Sequence, residues 1–505
     1  MAKKNLLLGR GEELTRKIPP PKSKGGKAYP YSWTEAKQRL LPKIEEAISE
    51  LEQAPDSTHP GGLGVMSMTL HPSFLAKSYF PSNMLKRFDL QCVGSKQILV
   101  TPEKTTKQGE PVIEASSDLY VSGSIGAFRA MRDGIISEEL TKGVKNEITE
   151  LEDLGVLDAE SKIKAIVPTN PLLEVALHSP ADIDIFGEFE SYVTQLGGKV
   201  DAFRRVRSGG LTFVPVMMPL EQVGELAKFS MLRVVRSMPK LRAGLPNVAR
   251  VAVGSKMPDF PENKAVINDQ IRAAIFDGGV GNTEFGEWVR EIVLGTGDPF
   301  PDGLSHGIGV TSAYLFGSLV DGEPLPVPYT GVDHYRVLDT HSDALDPHLY
   351  DVLNMISGVL ASGEYPLANL SLGPELPVED DDVSAWTSKL DEILSEGNTL
   401  LTVAVGNSGE LPGIDGRIQP PSDAVNALSV GAANSEGVDW ARATYSSKGP
   451  GRSPGFVKPD GISFGGSRNE PYLAYNPYTA NKVEGIQGTS FASPNTMRFK
   501  RVATS

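Results

Sequence analysis

Gly488-Thr489-Ser490-Phe491-Ala492-Ser493-Pro494 sets a serine between a glycine and the start of a helix. A helix N-terminus presents unpaired amides and favours negative charge, so a hydroxyl placed there can attack while its own N–H steadies the resulting oxyanion. Ser490 is therefore a candidate nucleophile. Taken alone the triplet also describes an ordinary turn or helix cap, so the reading depends on whether the chain supplies a base, an orienting acid and a second oxyanion donor. Working back from the segment, strands and helices alternate from Asn268 onward, which predicts an α/β domain with a parallel sheet covered on both faces.

Those companions are present. Arg272-Ala273-Ala274-Ile275-Phe276 reads as a short apolar strand with Asp277-Gly278-Gly279 at its carboxyl end, where open α/β sheets place their ligands. His306 stands in Ser305-His306-Gly307-Ile308-Gly309-Val310, ahead of a helix marked by Ala313, Leu315 and Phe316, and is the candidate general base. Leu401 to Val405 is a buried strand closed by Gly406-Asn407-Ser408-Gly409, whose asparagine offers an amide NH2. The carboxylate neighbours of His334 and His341 suggest a metal, but Tyr335-Arg336-Val337-Leu338 reads as the next strand of the sheet and His341 as part of its exit loop, so no metal site is expected there.

These motifs, in the order Asp, His, Asn, Ser, resemble those of the subtilases, the subtilisin-like serine proteases. The resemblance spans about Asn268 to Val502 and implies a triad of Asp277, His306 and Ser490, with Asn407 as oxyanion donor. It also implies that Ser371, Leu372 and Gly373, within Tyr365 to Pro374, pair with an extended peptide substrate. Implied with them is a serine endopeptidase working through an acyl-enzyme. The alternative is an inactive or incomplete subtilase serving as a peptide-binding or regulatory scaffold. Departures are specific: Gly278 stands where the family commonly has Thr or Ser, Gly309 replaces a second histidine, and Asn495 to Arg501 replaces a small, apolar continuation. Lys500 and Arg501 suit a buried helix poorly, and we expect a truncated C-terminus. Calcium sites are common in the family, but no contiguous carboxylate loop marks one, and no cofactor is expected. The run Glu379 to Asp382 reads as the solvated start of a helix.

Upstream, the expected divisions are a basic tail and amphipathic helix (1–60), an α+β domain (61–165), a ferredoxin-like, propeptide-like domain (166–242), a linker (243–264) and the subtilase domain (265–505). The ferredoxin-like reading rests on periodicity from Leu172 to Ser237, which gives strand, helix, strand, strand, helix, strand. The resemblance implies that such a domain packs on the catalytic domain and brings its exit segment near the substrate cleft. The stretch 63–167 resembles a degenerate second copy. In the first copy Gly64 to Leu70 and Gln91 to Val100 read as strands, with a helix from Phe74 to Phe88 broken at Pro81.

The chain has 505 residues, 40% hydrophobic and 22% charged, and a net charge of −14, which excludes a general nucleic-acid binder despite the basic run from Lys3 to Lys27. Its one cysteine, Cys92, has no internal partner and fits a reducing compartment. No stretch reaches the length of a signal-peptide core or a membrane span, and a cytoplasmic location is expected. Expected partners are a protein or peptide substrate and, from the resemblance to intracellular subtilases with long N-terminal extensions, a regulatory protein such as an ATPase.

Overall fold

The computed structural model describes residues 28–106, 109–180, 184–242, 251–252, 254–339, 348–452 and 457–499; the basic tail, His341, Lys500 and Arg501 lie outside the described residues. The described residues divide into two compact units, one ending at Met238 and the other beginning at Pro239.

The first unit repeats one topology. Strands Leu63–Leu70, Gln91–Val100, Glu114–Ser124 and Leu151–Val156 form an antiparallel sheet in the order second, third, first, fourth. Strands Leu172–His178, Lys199–Val200, Leu211–Met217 and Leu232–Ser237 form another in the same order. Both are the split βαβ arrangement, which the periodicity traces well in the second copy and only faintly in the first. The helix Trp33–Gln53 begins with a capping box, in which Ser32 Oγ accepts from the Glu35 N–H and Glu35 accepts from the Ser32 N–H. It buries Leu40, Ile44, Ile48 and Leu51.

Several local expectations change. The helix expected from Phe74 to Phe88 is reduced to Ser82–Arg87, preceded by single turns at Pro72–Phe74 and Lys77–Tyr79, because Pro72 and Pro81 interrupt the backbone ladder. The second strand of the pattern read over Leu172 to Ser237 is broken, Lys199–Val200 and Val206–Ser208 being separated by a turn at Ala202–Arg204, where Asp201 accepts from the Arg204 N–H.

In the second unit seven strands form one sheet. In chain order they are β1 (Arg272–Asp277), β2 (Val289–Val293), β3 (Gly331–Arg336), β4 (Leu367–Leu370), β5 (Leu400–Ala404), β6 (Leu428–Ala433) and β7 (Gly461–Phe464). They run parallel in the order β2-β3-β1-β4-β5-β6-β7. Consecutive residues of β1, β3, β5 and β6 are buried, so both faces are covered, as parallel sheets require. Helices α1 (Pro301–Phe316), α2 (His348–Ala361), α3 (Ala385–Leu394) and α4 (Thr489–Phe499) supply cover: α1 packs against α4, and α2 against α3. The winding direction reverses at β1, which has β3 on one side and β4 on the other, so Asp277 ends a strand at the switch point.

Three expectations are corrected here. His306 does not precede a helix but lies in the second turn of α1. Two prolines and Gly303 disguise the start, although Pro301 at the first helical position and Asp302 in the first turn are helix-start features. The strand expected at Tyr335 to Leu338 is β3, which begins at Gly331 and buries Asp333 and His334. Those polar residues belong in a covered strand because each is hydrogen-bonded; Asp333 receives Arg272 Nε at 2.6 Å and the Tyr365 hydroxyl at 2.7 Å. The run Glu379 to Asp382 does not start a helix. The helix begins at Ala385, where Ser384 Oγ accepts from the Thr387 N–H at 3.1 Å, and Asp380 pairs with Arg417 instead.

Candidate active site

At the carboxyl end of β1, Asp277 is fully buried and its Oδ1 accepts from the Gly278 N–H at 2.8 Å. His306 reaches it from α1: Nδ1 lies 2.8 Å from Oδ1 and 2.9 Å from Oδ2. A carboxylate only accepts, so the imidazole proton sits on Nδ1 and Nε2 is left with a free lone pair. Nε2 is buried and has no hydrogen-bond partner among the described residues. The arrangement orients the imidazole so that, in its neutral form, Nε2 is the proton acceptor.

Small residues let α1 approach this closely. A β-carbon at Gly307 would lie 2.2 Å from the Gly279 carbonyl oxygen, and one at Gly278 would lie 2.5 Å from the Gly303 carbonyl group. Helix and turn therefore lie in backbone contact. This explains the glycine at 278, where the family commonly carries Thr or Ser.

On the other side, Ser490 is the second residue of α4 and is almost fully buried. Phe491 follows it, with its ring centroid 5.8 Å from that of His306. The Ser490 carbonyl accepts from Ser371 Oγ at 2.9 Å, Ser371 Oγ accepts from Asn369 Nδ2 at 3.0 Å, and Asn369 Oδ1 accepts from Ser493 Oγ at 2.7 Å and Thr402 Oγ1 at 3.0 Å. All five residues are buried. This chain of bonds ties the first turn of α4 to β4 and β5.

Asn407 is held by Thr489. Its Oδ1 accepts from the Thr489 N–H and from Thr489 Oγ1, both at 3.0 Å, and Thr489 Oγ1 accepts in turn from the Gly406 N–H at 3.2 Å. With its oxygen committed, the asparagine presents its NH2 group. A β-carbon at Gly488 would lie 3.7 Å from that nitrogen, so the donor stands beside the residues that lead into Ser490.

The expected substrate residues divide. Ser371 and Leu372 are buried, and the Ser371 hydroxyl donates to the Ser490 carbonyl and accepts from Asn369, so its side chain faces α4. Gly373–Glu375 does present a strand edge, and Lys240–Arg242 pairs with it antiparallel, Lys240 opposite Glu375 and Arg242 opposite Gly373. The chain's own segment takes the position expected for a substrate strand.

Sequence reasoning passed over Asn369, Thr489, Ser493 and His334. The first three were legible only in part: Asn369 is two residues from Ser371 and so on the same face of a strand, but nothing local shows that α4 lies over it. His334 stands just before the strand expected at Tyr335 to Leu338, and its buried ring accepts from the Gly279 N–H at 3.1 Å. For a cation, Glu379, Asp381 and Asp382 bring carboxylate oxygens within 4.8 Å of one another, an all-oxygen set of the kind hard ions such as calcium favour. Among the described residues no helix is long and apolar enough to cross a membrane.

Residues 296–498 match the profile of the subtilase family, a segment that includes His306, Asn407 and Ser490 and begins after Asp277. Among solved structures, a cold adapted subtilisin-like serine proteinase is similar at 18% identity with a TM-score of 0.33, over 49% of this chain and 80% of that one. No curated protein matches the chain. Most of the unit that holds the parallel sheet is thus similar to the subtilase family.

Proposed function

We propose that the chain is a serine endopeptidase with Asp277, His306 and Ser490 as its triad and Asn407 as an oxyanion donor. The observation that carries this reading is the buried Asp277–His306 pair, which fixes the tautomer and leaves Nε2 bare. His306 Nε2 takes the Ser490 hydroxyl proton as Oγ attacks the peptide carbonyl, and Asp277 stabilises the imidazolium. The oxyanion receives the Ser490 N–H and the Asn407 NH2. The imidazolium protonates the leaving amine. Water, deprotonated by His306, then hydrolyses the acyl-enzyme.

The substrate is an extended peptide that adds to the Gly373–Glu375 edge by main-chain hydrogen bonds. That Lys240–Arg242 holds that edge supports reading the chain as a latent form. Displacement or cleavage of that segment, which follows the ferredoxin-like sheet directly in the chain, opens the edge.

A fluorophosphonate probe tests the reading. Covalent labelling of the parent chain, abolished in Ser490→Ala and carried by the peptide that contains Ser490, is the expected result. A folded parent that remains unlabelled after proteolytic removal of the segment before Ile267 supports the scaffold reading instead.

A further inference from the structure

His334 lies on β3 opposite Ile275 of β1, and none of its ring is exposed. Its two nitrogens reach the two elements that carry Asp277 and His306. Nε2 accepts from the N–H of Gly279, in the turn that follows Asp277, at 3.1 Å. Nδ1 lies 2.9 Å from Oγ1 of Thr311, which is on α1 beyond His306. A backbone N–H can only donate, so Nε2 carries no proton and Nδ1–H donates to the threonine. A β-carbon at Gly307 would meet both the Gly279 oxygen, at 2.2 Å, and His334 Cε1, at 3.1 Å. Turn, helix and ring are therefore in mutual contact at the place where α1 presents His306 to Asp277.

The ring must stay neutral to keep this pattern, since a protonated Nε2 repels the Gly279 N–H. Burial lowers its pKa to about 4; Asp277 on β1 and Glu291 on β2 act against that shift, and His306 on α1 adds to it. Neutrality therefore holds throughout the range in which a histidine base works.

We propose that His334 is a positioning residue for the Asp277–His306 pair, clamping the turn after β1 to α1 so that His306 Nδ1 stays within reach of both carboxylate oxygens. It touches neither substrate nor reacting atoms. Its kinetic consequence rests on the protease reading above, but its structural consequence does not.

The experiment uses the full chain labelled with ¹⁵N-histidine. A proton held between His306 and Asp277 resonates far downfield, and His306→Ala assigns it, whether or not the protein turns over substrate. His334→Phe fills the ring's volume without its hydrogen bonds, whereas His334→Gln can offer its amide oxygen to the Gly279 N–H. We expect His334→Phe to shift or erase the resonance and to lower kcat by roughly 10- to 100-fold at nearly unchanged KM, as a small misplacement of catalytic groups does. His334→Gln is expected to restore the resonance and most of kcat. The proposal fails if His334→Phe leaves both unchanged, if KM rises while kcat holds, or if the Gln variant is no better than Phe while both melt like the parent. Should His334→Phe not fold, Thr311→Val is the deciding variant, since it keeps the ring and removes only the acceptor at Nδ1; an unaltered resonance there overturns the clamp. A parent that shows the resonance but stays unlabelled by fluorophosphonate after removal of the segment before Ile267 overturns the protease reading and leaves the clamp to be judged by the resonance alone.

Discussion

Lys162 and His178 in the N-terminal unit and Asp277 and His306 in the C-terminal unit are all almost fully buried, but on different terms. Lys162 Nζ has a hydrogen bond to the Phe229 carbonyl, at 3.1 Å, and burial lowers its pKa to about 7 against the pull of Asp158. His178 donates from Nδ1 to the Val93 carbonyl at 3.0 Å, leaving Nε2 buried without a partner among the described residues. Burial, then Arg233, Lys162 and Lys96, hold its pKa well below the usual 6.5. These groups avoid the cost of buried charge by giving up charge. Asp277 instead receives a backbone N–H and the His306 imidazole, and Asn369 joins three hydroxyls. Burial in the first unit makes stability depend on pH, whereas in the second it fixes the geometry of a site.

The largest way to break the contrast is at the oxyanion donor. Asn407→Leu is expected to lower kcat by about 10² to 10³ with little change in KM, because an NH2 aimed at developing charge acts mainly in the transition state. Steady-state kinetics on an extended peptide checks it, and an effect confined to KM contradicts the assignment. Next in size, Asn369→Leu strands the hydroxyl of Ser493 and takes one partner each from Ser371 and Thr402. At about 1–3 kcal/mol for an unsatisfied buried group, the C-terminal unit should unfold at clearly lower urea concentration. Pulse proteolysis with fragments identified by mass would read this, and an unchanged midpoint removes the network from the account of stability.

The smallest effect sharpens the N-terminal side. The folded pKa of Lys162 lies near 7 and the unfolded value near 10.5, so between them the unfolded chain binds the extra proton. The Lys162 contribution therefore favours folding progressively more as pH rises from 7 to 10.5. His178 acts lower: the unfolded imidazole gains a proton below about 6.5 while the buried one does not, so stability falls as the pH drops through that value. Lys162→Met is expected to flatten the alkaline rise and leave the acid loss in place, with the midpoint of the N-terminal unit followed by the same proteolysis across pH. A rise as steep as the parent's would show that Lys162 is not its source.

Much of the site was legible because its chemistry is local. Asp277 follows an apolar strand, Ser490 opens a helix behind a glycine, and Asn407 closes a buried strand; strand ends and helix starts are written in neighbouring residues. β3 was misplaced for the opposite reason. Asp333 and His334 look like loop residues until Arg272, Tyr365, Gly279 and Thr311, all distant in the chain, satisfy them. The start of α1 was hidden because Gly303 and Gly307 look like helix breakers; their missing side chains make room for the Phe300 ring at 303 and for the Gly279 carbonyl at 307, neither of which local sequence announces.

The sequence by itself determined the α/β character, the Asp, His, Asn, Ser order and the resemblance to subtilases, since each depends on residues near one another or on their order. Only the tertiary structure decided that Ser371 turns to the Ser490 carbonyl, that Lys240–Arg242 lies along the Gly373–Glu375 edge, and that His334 bridges the turn after Asp277 to α1. The reason is physical: a buried polar group takes whatever partner the fold delivers to it, and that partner comes from a strand or helix far along the chain.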